Sequence, residues 1–195
     1  MALNTELLLT LKNLKGCGNK TALAIADNSP VTVHTIEDLC AFWKTLHGKK
    51  YEKYSQEDLL SAHRQALSTI KDAESCGVGI ISYYEDNYPA ILRKTINEEG
   101  KEDAPLILFY RGNIEALQKP GIAVIGTRVP TEAGNKAGIY FAEKFAKEGF
   151  NIVSGLAIGC DATGHQGALN VQGTTTAFLA NGLDWDSIYP KENLE

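Results

Sequence analysis

The sequence predicts an α/β chain: an all-helical amino-terminal part, then a part built on a parallel sheet. Three observations carry this. Up to about residue 75, apolar residues recur at helical spacing. From Val78 onward, short apolar runs alternate with glycine turns and amphipathic segments. Between Gly121 and Gly159 an apolar run, a glycine loop, a helix, a second apolar run and a second glycine loop follow in order. That is a strand–helix–strand unit, whose right-handed crossover makes the two strands parallel. The boundary falls within residues 76–104 and is drawn as domains 1–76 and 77–195.

The helical part opens with two short helices over residues 4–27. Leu7, Leu8, Leu11 and Leu14 form one apolar face. A tight turn, Gly16-Cys17-Gly18, leads into a second helix carrying Ala22, Leu23 and Ile25. The pattern is similar to the helix–hairpin–helix element of many DNA-binding proteins. Two glycines let the chain turn sharply, and the N–H groups opening the second helix suit a phosphate. Gly16, Gly18 and Lys20 are the candidate contacts, with Lys15 nearby. A plain helical hairpin explains the same residues without a ligand.

Thr35 to Leu46 reads as a helix, with Thr35 as N-cap and Asp38 three residues on. Lys49 to Tyr54 reads as a polar connection. Ser55 opens a longer helix to Glu74, again with an acid, Asp58, three residues later. Its apolar stripe is Leu59, Leu60, Ala66, Leu67 and Ile70. His34, His47 and His63 lie on separate elements at no ligand spacing, and read as exposed or core-edge residues. Val78 to Tyr83 and Pro105 to Tyr110 read as strands, the latter of buried type. Asp86-Asn87-Tyr88-Pro89 is a turn between them.

In the α/β part, Ile122, Val124 and Ile125 lead into Gly126-Thr127-Arg128. The helix that follows places Ala137, Tyr140, Phe141, Phe145 and Ala146 on one side, the expected core face. Phe150, Ile152 and Val153 lead into Ser154-Gly155 and on to Gly159. A third run, Thr174 to Ala180, ends in Asn181-Gly182-Leu183-Asp184. Ligands of parallel sheets bind beyond the carboxyl ends of the strands, where all three loops sit.

Composition narrows the chemistry. The chain has 195 residues, 44% apolar and 22% charged, with net charge −5, so a sizeable core is available. Residues 1–104 carry 12 basic against 15 acidic side chains, and residues 105–195 carry 7 against 9, giving −3 and −2. Neither half is a basic tail, so any nucleic-acid binding must come from a local patch or from backbone donors. Cys17, Cys40, Cys76 and Cys160 form no C-x-x-C motif and read as reduced thiols. Leu7 to Leu9 is too short for a signal peptide and follows Glu6. No apolar run approaches a membrane span, and a cytoplasmic protein is expected.

The first loop lacks the G-x-G-x-x-G fingerprint, which argues against a dinucleotide oxidoreductase. It still suits an anion. Gly126 permits close approach, Thr127 offers a hydroxyl, and Arg128 offers a fork for phosphate oxygens. A tight strand-to-helix turn with a surface arginine is the bland reading. In the second loop Asp161 stands one helical turn before His165. Such a pair suits acid–base work or a helix cap with a structural hydrogen bond. No nucleophile or metal-ligand set surrounds it.

These loops together resemble one family. GTRVPTEAG, VSGLAIGCDATGHQGAL, GTTTAFLANGLDWDSIYPKEN and the earlier YYEDNYPAIL and APLILFYRGN are similar to successive signatures of the DNA-processing protein A (DprA/Smf) family. The resemblance covers roughly residues 80–195, and the helical segment fits that family's variable amino-terminal domain. It implies a Rossmann-like domain that binds single-stranded DNA and hands it to the RecA recombinase in natural transformation and recombination. It implies a homodimer and no catalytic residues. The implied DNA and phosphate contacts are Gly126, Thr127, Arg128, Ser154, Gly155, Gly159, Asp161, Asn181, Gly182 and Lys191. No cofactor or metal is expected. Thr127 stands where Ser is commoner, Cys160 where an aliphatic residue is usual, and Gly164 where alanine is usual.

The family's domain continues past the Tyr-Pro-x-x-Asn turn that begins at Tyr189. Here the sequence stops at Glu195, so an incomplete sheet is expected, and dimerisation is expected only with the further part. Two other readings share the residues. A nucleotide-binding or nucleotide-cleaving protein of the LOG-like Rossmann type shares the fold, but its P-G-G-x-G-T-x-x-E motif is absent. A docking scaffold would place the function in the helical domain.

Overall fold

The computed structural model describes residues 3–191. By packing, the chain divides into two compact units, the first ending at Arg111 and the second beginning at Gly112. The boundary at 76/77 separates helical from mixed composition. The division at Arg111 reflects where a strand pair is packed.

The first unit is arranged around α1 (Thr5–Asn13), in which Leu7, Leu8, Leu9, Thr10 and Leu11 are all buried. A helix buried at five successive positions is enclosed by its neighbours rather than packed on one side. Those neighbours include α2 (Asn19–Asn28) and α5 (Gln56–Ser75), and α3 (Ile36–Trp43) packs on α5 in the same core. Each fully buried leucine contributes about 1.5–3 kcal/mol. Thr35 and Ser55 both form the expected capping boxes, with Asp38 and Asp58 returning the bond to the cap backbone. Glu6 on α1 meets His63 on α5 at 2.7 Å. The Lys49 to Tyr54 connection contains a single helical turn, α4 (Lys49–Glu52), opened by Gly48 at φ 115°. Nothing apolar repeats across so short a segment, so the sequence carried no helical signal for it.

Strands β1 (Gly79–Ser82) and β2 (Ile107–Tyr110) pair antiparallel, Gly79 opposite Tyr110 and Ser82 opposite Ile107. They form their own two-stranded sheet, packed on α1 and α5. They therefore belong with the helices.

The second unit carries the three-stranded parallel sheet, in the order β3 (Gly121–Ala123), β4 (Asn151–Ser154), β5 (Thr174–Ala177). Helix α6 (Glu132–Lys147) joins β3 to β4, and α7 (Cys160–Asn170) joins β4 to β5. The two helices pack on each other and on β4. Their core is made of small side chains: Ala142, Ala146 and Ala168 close over Ile152. This corrects the expected face of α6. Ala146 is buried as expected, but Tyr140 and Phe141 are each 55% exposed, and Ala142 takes the inner position. The helices approach too closely for rings. A side chain at Gly167 would stand 2.6 Å from Ala142 Cβ and 2.7 Å from the Ile139 carbonyl oxygen. The aromatic residues form their own outer row, with Tyr140 and Phe141 rings 5.4 Å apart. Among the described residues, no helix is long and apolar enough to cross a membrane.

Gly167→Ala forces α6 and α7 apart and is expected to destabilise the second unit by about 1–3 kcal/mol, the usual cost of overpacking. Urea unfolding followed by circular dichroism reads this as a lowered midpoint. An unchanged midpoint would show that the helix pair relaxes freely.

Candidate functional site

Two loops of the second unit meet at the carboxyl ends of β3 and β4, where α6 and α7 both begin. The first loop follows β3. Thr127 Oγ1 accepts from the Val129 N–H at 3.2 Å and so folds the loop on itself. Its carbonyl oxygen accepts from the Cys160 N–H, the first residue of α7, at 3.1 Å. Gly126 lies against the same residue, since a Cβ there would stand 2.7 Å from Cys160 Sγ.

Gly159 makes this junction possible. It caps α7 at φ 86°, in the left-handed region that favours glycine. A side chain there would also collide with the Thr127 carbonyl and come within 2.7 Å of Arg128 Cα. The backbone of Arg128 is thereby pressed onto the start of α7. Its side chain is exposed, and no carboxylate among the described residues pairs with it. A helix amino terminus carries partial positive charge from its unshared N–H groups. At α7 the Cys160 and Ala162 N–H groups are already taken by the Thr127 and Ala157 carbonyls, so the Arg128 guanidinium is the full positive charge that this loop offers an anion.

Asp161 does something other than face a ligand. Its Oδ2 accepts from Gly155 N–H at 3.1 Å and Ala157 N–H at 3.3 Å. These two bonds straddle Leu156, which sits at φ 63°. A branched, non-glycine residue in that region costs on the order of 1–2 kcal/mol. The carboxylate offsets this by holding both flanking N–H groups. Composition carried no signal for Leu156, which looks like any apolar loop residue.

Ser154 is 4% exposed, and its hydroxyl donates to the Val124 carbonyl at 2.5 Å. It ties β4 to the end of β3 rather than opening to solvent. The Asp161–His165 pair resolves in favour of structure. His165 is 7% exposed, and its Nδ1 lies 2.6 Å from Thr175 Oγ1. That hydroxyl donates to the Ile152 carbonyl at 2.8 Å. Its one proton is thus used, which assigns the proton of the His165–Thr175 bond to Nδ1. The other ring nitrogen, Nε2, is buried with no hydrogen-bond partner. Burial pushes the imidazole below its usual pKa, with Asp161 opposing the shift.

The remaining candidates lie in two other places. Asn181 Nδ2 donates to the Ser187 carbonyl at 2.5 Å, closing the loop after β5. At Gly182 a Cβ would stand 2.9 Å from Asp184 Oδ2. Hydrogen bonds from Ser187 hold that aspartate's carboxyl below its usual range. Lys191 folds back onto the same loop, its Nζ donating to the Trp185 and Asp186 carbonyls at 2.6 and 3.1 Å. Gly16, Gly18 and Lys20 belong to the first unit. There Cys17, between the glycines, is buried in the helical core. At the start of α2, Asn19 Nδ2 donates to the Ala104 carbonyl at 3.2 Å and lies 3.4 Å from Asp103 Oδ1.

Two measurements follow. Asp161→Ala releases the N–H groups of Gly155 and Ala157 and is expected to cost about 1.5–3 kcal/mol, typical of bonds to a charged acceptor. Urea unfolding would show the loss, and amide exchange would quicken at residues 155–157. If neither moved, the loop would be held by something else. For His165, the folded pKa lies below the unfolded value of about 6.5, so the unfolded chain binds the extra proton. Stability is then fully present above pH about 6.5 and falls as pH drops below it toward the folded pKa. Urea midpoints from pH 7.5 to 5 are expected to fall more steeply for the wild-type chain than for His165→Gln. Parallel curves would overturn the assignment.

Comparison with known proteins identifies the family. A Smf protein of Synechocystis sp. is 41% identical over 93 residues, 46% of this chain and 23% of that protein. DNA processing protein DprA of Streptococcus pneumoniae is 42% identical over 91 residues, 47% of this chain and 31% of that protein. The X-ray structure of DNA processing protein A from Streptococcus pneumoniae superposes on all of this chain with a TM-score of 0.68 at 26% identity, covering 63% of that chain. The chain spans less than two thirds of the length of each of these relatives. The model of the DNA recombination-mediator protein A family matches residues 79–195, well over half of the sequence, and the chain belongs to that family.

Proposed function

We propose that the chain binds single-stranded DNA through its phosphate backbone at the junction of residues 126–128 with residues 155–161. One observation carries the reading: Arg128 is an exposed guanidinium without an ion-pair partner among the described residues, and its backbone is pressed onto the cap of α7. An oxygen bound there meets a fork of donors carried by a loop whose backbone is fixed against the start of a helix. The overall charge of −5 does not oppose this, because a local site of this kind needs no basic surface around it. Gly126, Thr127, Gly155 and Gly159 shape the cradle, while Ser154 and Asp161 hold it from behind. Asn181, Gly182 and Lys191 form a neighbouring loop in sequence order, assigned to the same DNA path by the family resemblance.

The polar side chains that suit proton transfer, Asp161 and His165, are bonded to the protein's own groups. We therefore read the site as binding rather than catalytic, with no cofactor. We propose further that the bound strand is processed in transformation and recombination and passed to the RecA recombinase, a reading that the resemblance to the DNA-processing family supports. The same proposal places the protein in the cytoplasm, with homodimerisation only where the family's further carboxy-terminal part is present.

Phosphate contacts make affinity salt-dependent and largely indifferent to sequence. Arg128→Ala is expected to weaken binding of a labelled oligothymidylate by roughly 1–3 kcal/mol, the cost of losing a charge-assisted contact. Fluorescence anisotropy across a salt series measures it. Wild-type affinity in the variant at every salt concentration would reject the site. Stabilisation by a mononucleotide but by no oligonucleotide in a thermal-shift assay would favour the nucleotide-binding reading instead.

A further inference from the structure

The first unit holds a basic ridge that the glycine-loop site does not use. Between Lys44 and Tyr54 stand four lysines, Lys44, Lys49, Lys50 and Lys53, against one carboxylate, Glu52. All four are exposed, and none forms an ion pair among the described residues. Glu52 pairs with none of them among the described residues, its Oε1 accepting from the Gly48 N–H at 3.0 Å. The ridge is built rather than accidental. Trp43 is buried, and the rings of Tyr51 and Tyr54 pack edge-on against it at 6.1 and 5.9 Å. Lys50 Nζ stands 4.6 Å over the Tyr51 ring, and Lys53 Nζ stands 4.6 Å over the Tyr54 ring. Such cation–π contacts hold a flexible ammonium in place without neutralising it.

The same segment is hooked onto the glycine turn. Tyr54 Oη donates to the Lys15 carbonyl at 2.9 Å, and Lys53 Nζ reaches the Gly16 carbonyl at 3.5 Å. This brings exposed Lys15 to the ridge. Beside them lies a cavity of about 360 Å³ lined by Lys15, Lys53, Tyr54, Asp58 and Gln65. Asp58 is the acid in it, and its carboxylate is engaged by the Ser55 hydroxyl and N–H, both at 2.7 Å.

We propose that Lys15, Lys49, Lys50 and Lys53 form a second contact surface for the phosphate backbone of single-stranded DNA, on the first unit. The inference rests on the DNA-binding reading above, but on none of its residues. The ridge recognises charge and ignores base identity.

The test uses the full chain. The triple variant Lys49→Ala, Lys50→Ala, Lys53→Ala is measured by anisotropy on labelled oligothymidylate and oligodeoxyadenylate across a salt series. Loss of three phosphate contacts lowers the salt slope by about 2, at about 0.7 per contact for single strands. Affinity at low salt is expected to fall about tenfold, equally on both oligonucleotides. The charge-preserving Lys→Arg triple is expected to bind as wild type, which separates charge from folding. An unchanged slope in a folded triple variant overturns the proposal, and so does a loss confined to one base composition. Arg128→Ala runs in parallel. If it leaves binding intact while the triple removes it, the glycine-loop reading fails and the ridge stands. If it removes binding while the triple changes nothing, the ridge alone fails.

Discussion

The second unit's site depends on one carboxylate. Asp161 sits in the first turn of α7, where a negative charge suits the helix dipole. From there it accepts the N–H groups on either side of Leu156. Those bonds support the left-handed backbone at Leu156 and with it the path of the loop from Gly155 to Gly159 back onto the first loop. The contacts that follow all use that path: Cys160 N–H on the Thr127 carbonyl, Gly159 under the backbone of Arg128, Gly126 against Cys160. A negative residue thus helps to build a site for a negative ligand. Its charge is spent on the protein's own donors, which leaves Arg128 as the group facing outward.

The sheet beneath is held by similar economy of size. Ala142, Ala146 and Ala168 let α6 and α7 lie close over Ile152, and close packing fixes where both helices start. Ser154 and His165, which look like chemistry in sequence, are struts. The serine joins two strands, and the histidine joins α7 to β5. Burial of the His165 ring, whose Nε2 has no hydrogen-bond partner among the described residues, lowers its pKa and so costs stability at low pH. The two units solve different problems with different means. The first encloses a leucine-rich helix, while the second stacks small residues on a short sheet.

Much of this was legible in the residues. The capping boxes at Thr35 and Ser55 are local, three residues from donor to acceptor, so spacing alone reveals them. The strand–helix–strand order from Gly121 to Gly159 and the glycine loops at its ends were equally plain, because turn chemistry acts within a few residues. Less legible was the face of α6. Tyr140, Phe141 and Phe145 outweigh alanine in any count of hydrophobicity, yet the neighbouring helix admits only small side chains. The pairing of β1 with β2 was also hidden, since a strand's partner and direction depend on segments far along the chain.

The sequence by itself determined the succession of helices and strands, the three glycine loops, the absence of a dinucleotide fingerprint, and Arg128 as the charge beside the first loop. These are properties of short windows, where backbone preference and side-chain type act directly. Only the tertiary structure decided the roles. It bonded Asp161, Ser154 and Lys191 to backbone groups, and left Arg128 without an ion pair among the described residues. It assigned the strand pair β1 and β2 to the helical unit, and gathered Lys15 with Lys53 around Tyr54. Such outcomes depend on which donor lies within about 3 Å of which acceptor once the chain has packed, and sequence spacing does not set that distance.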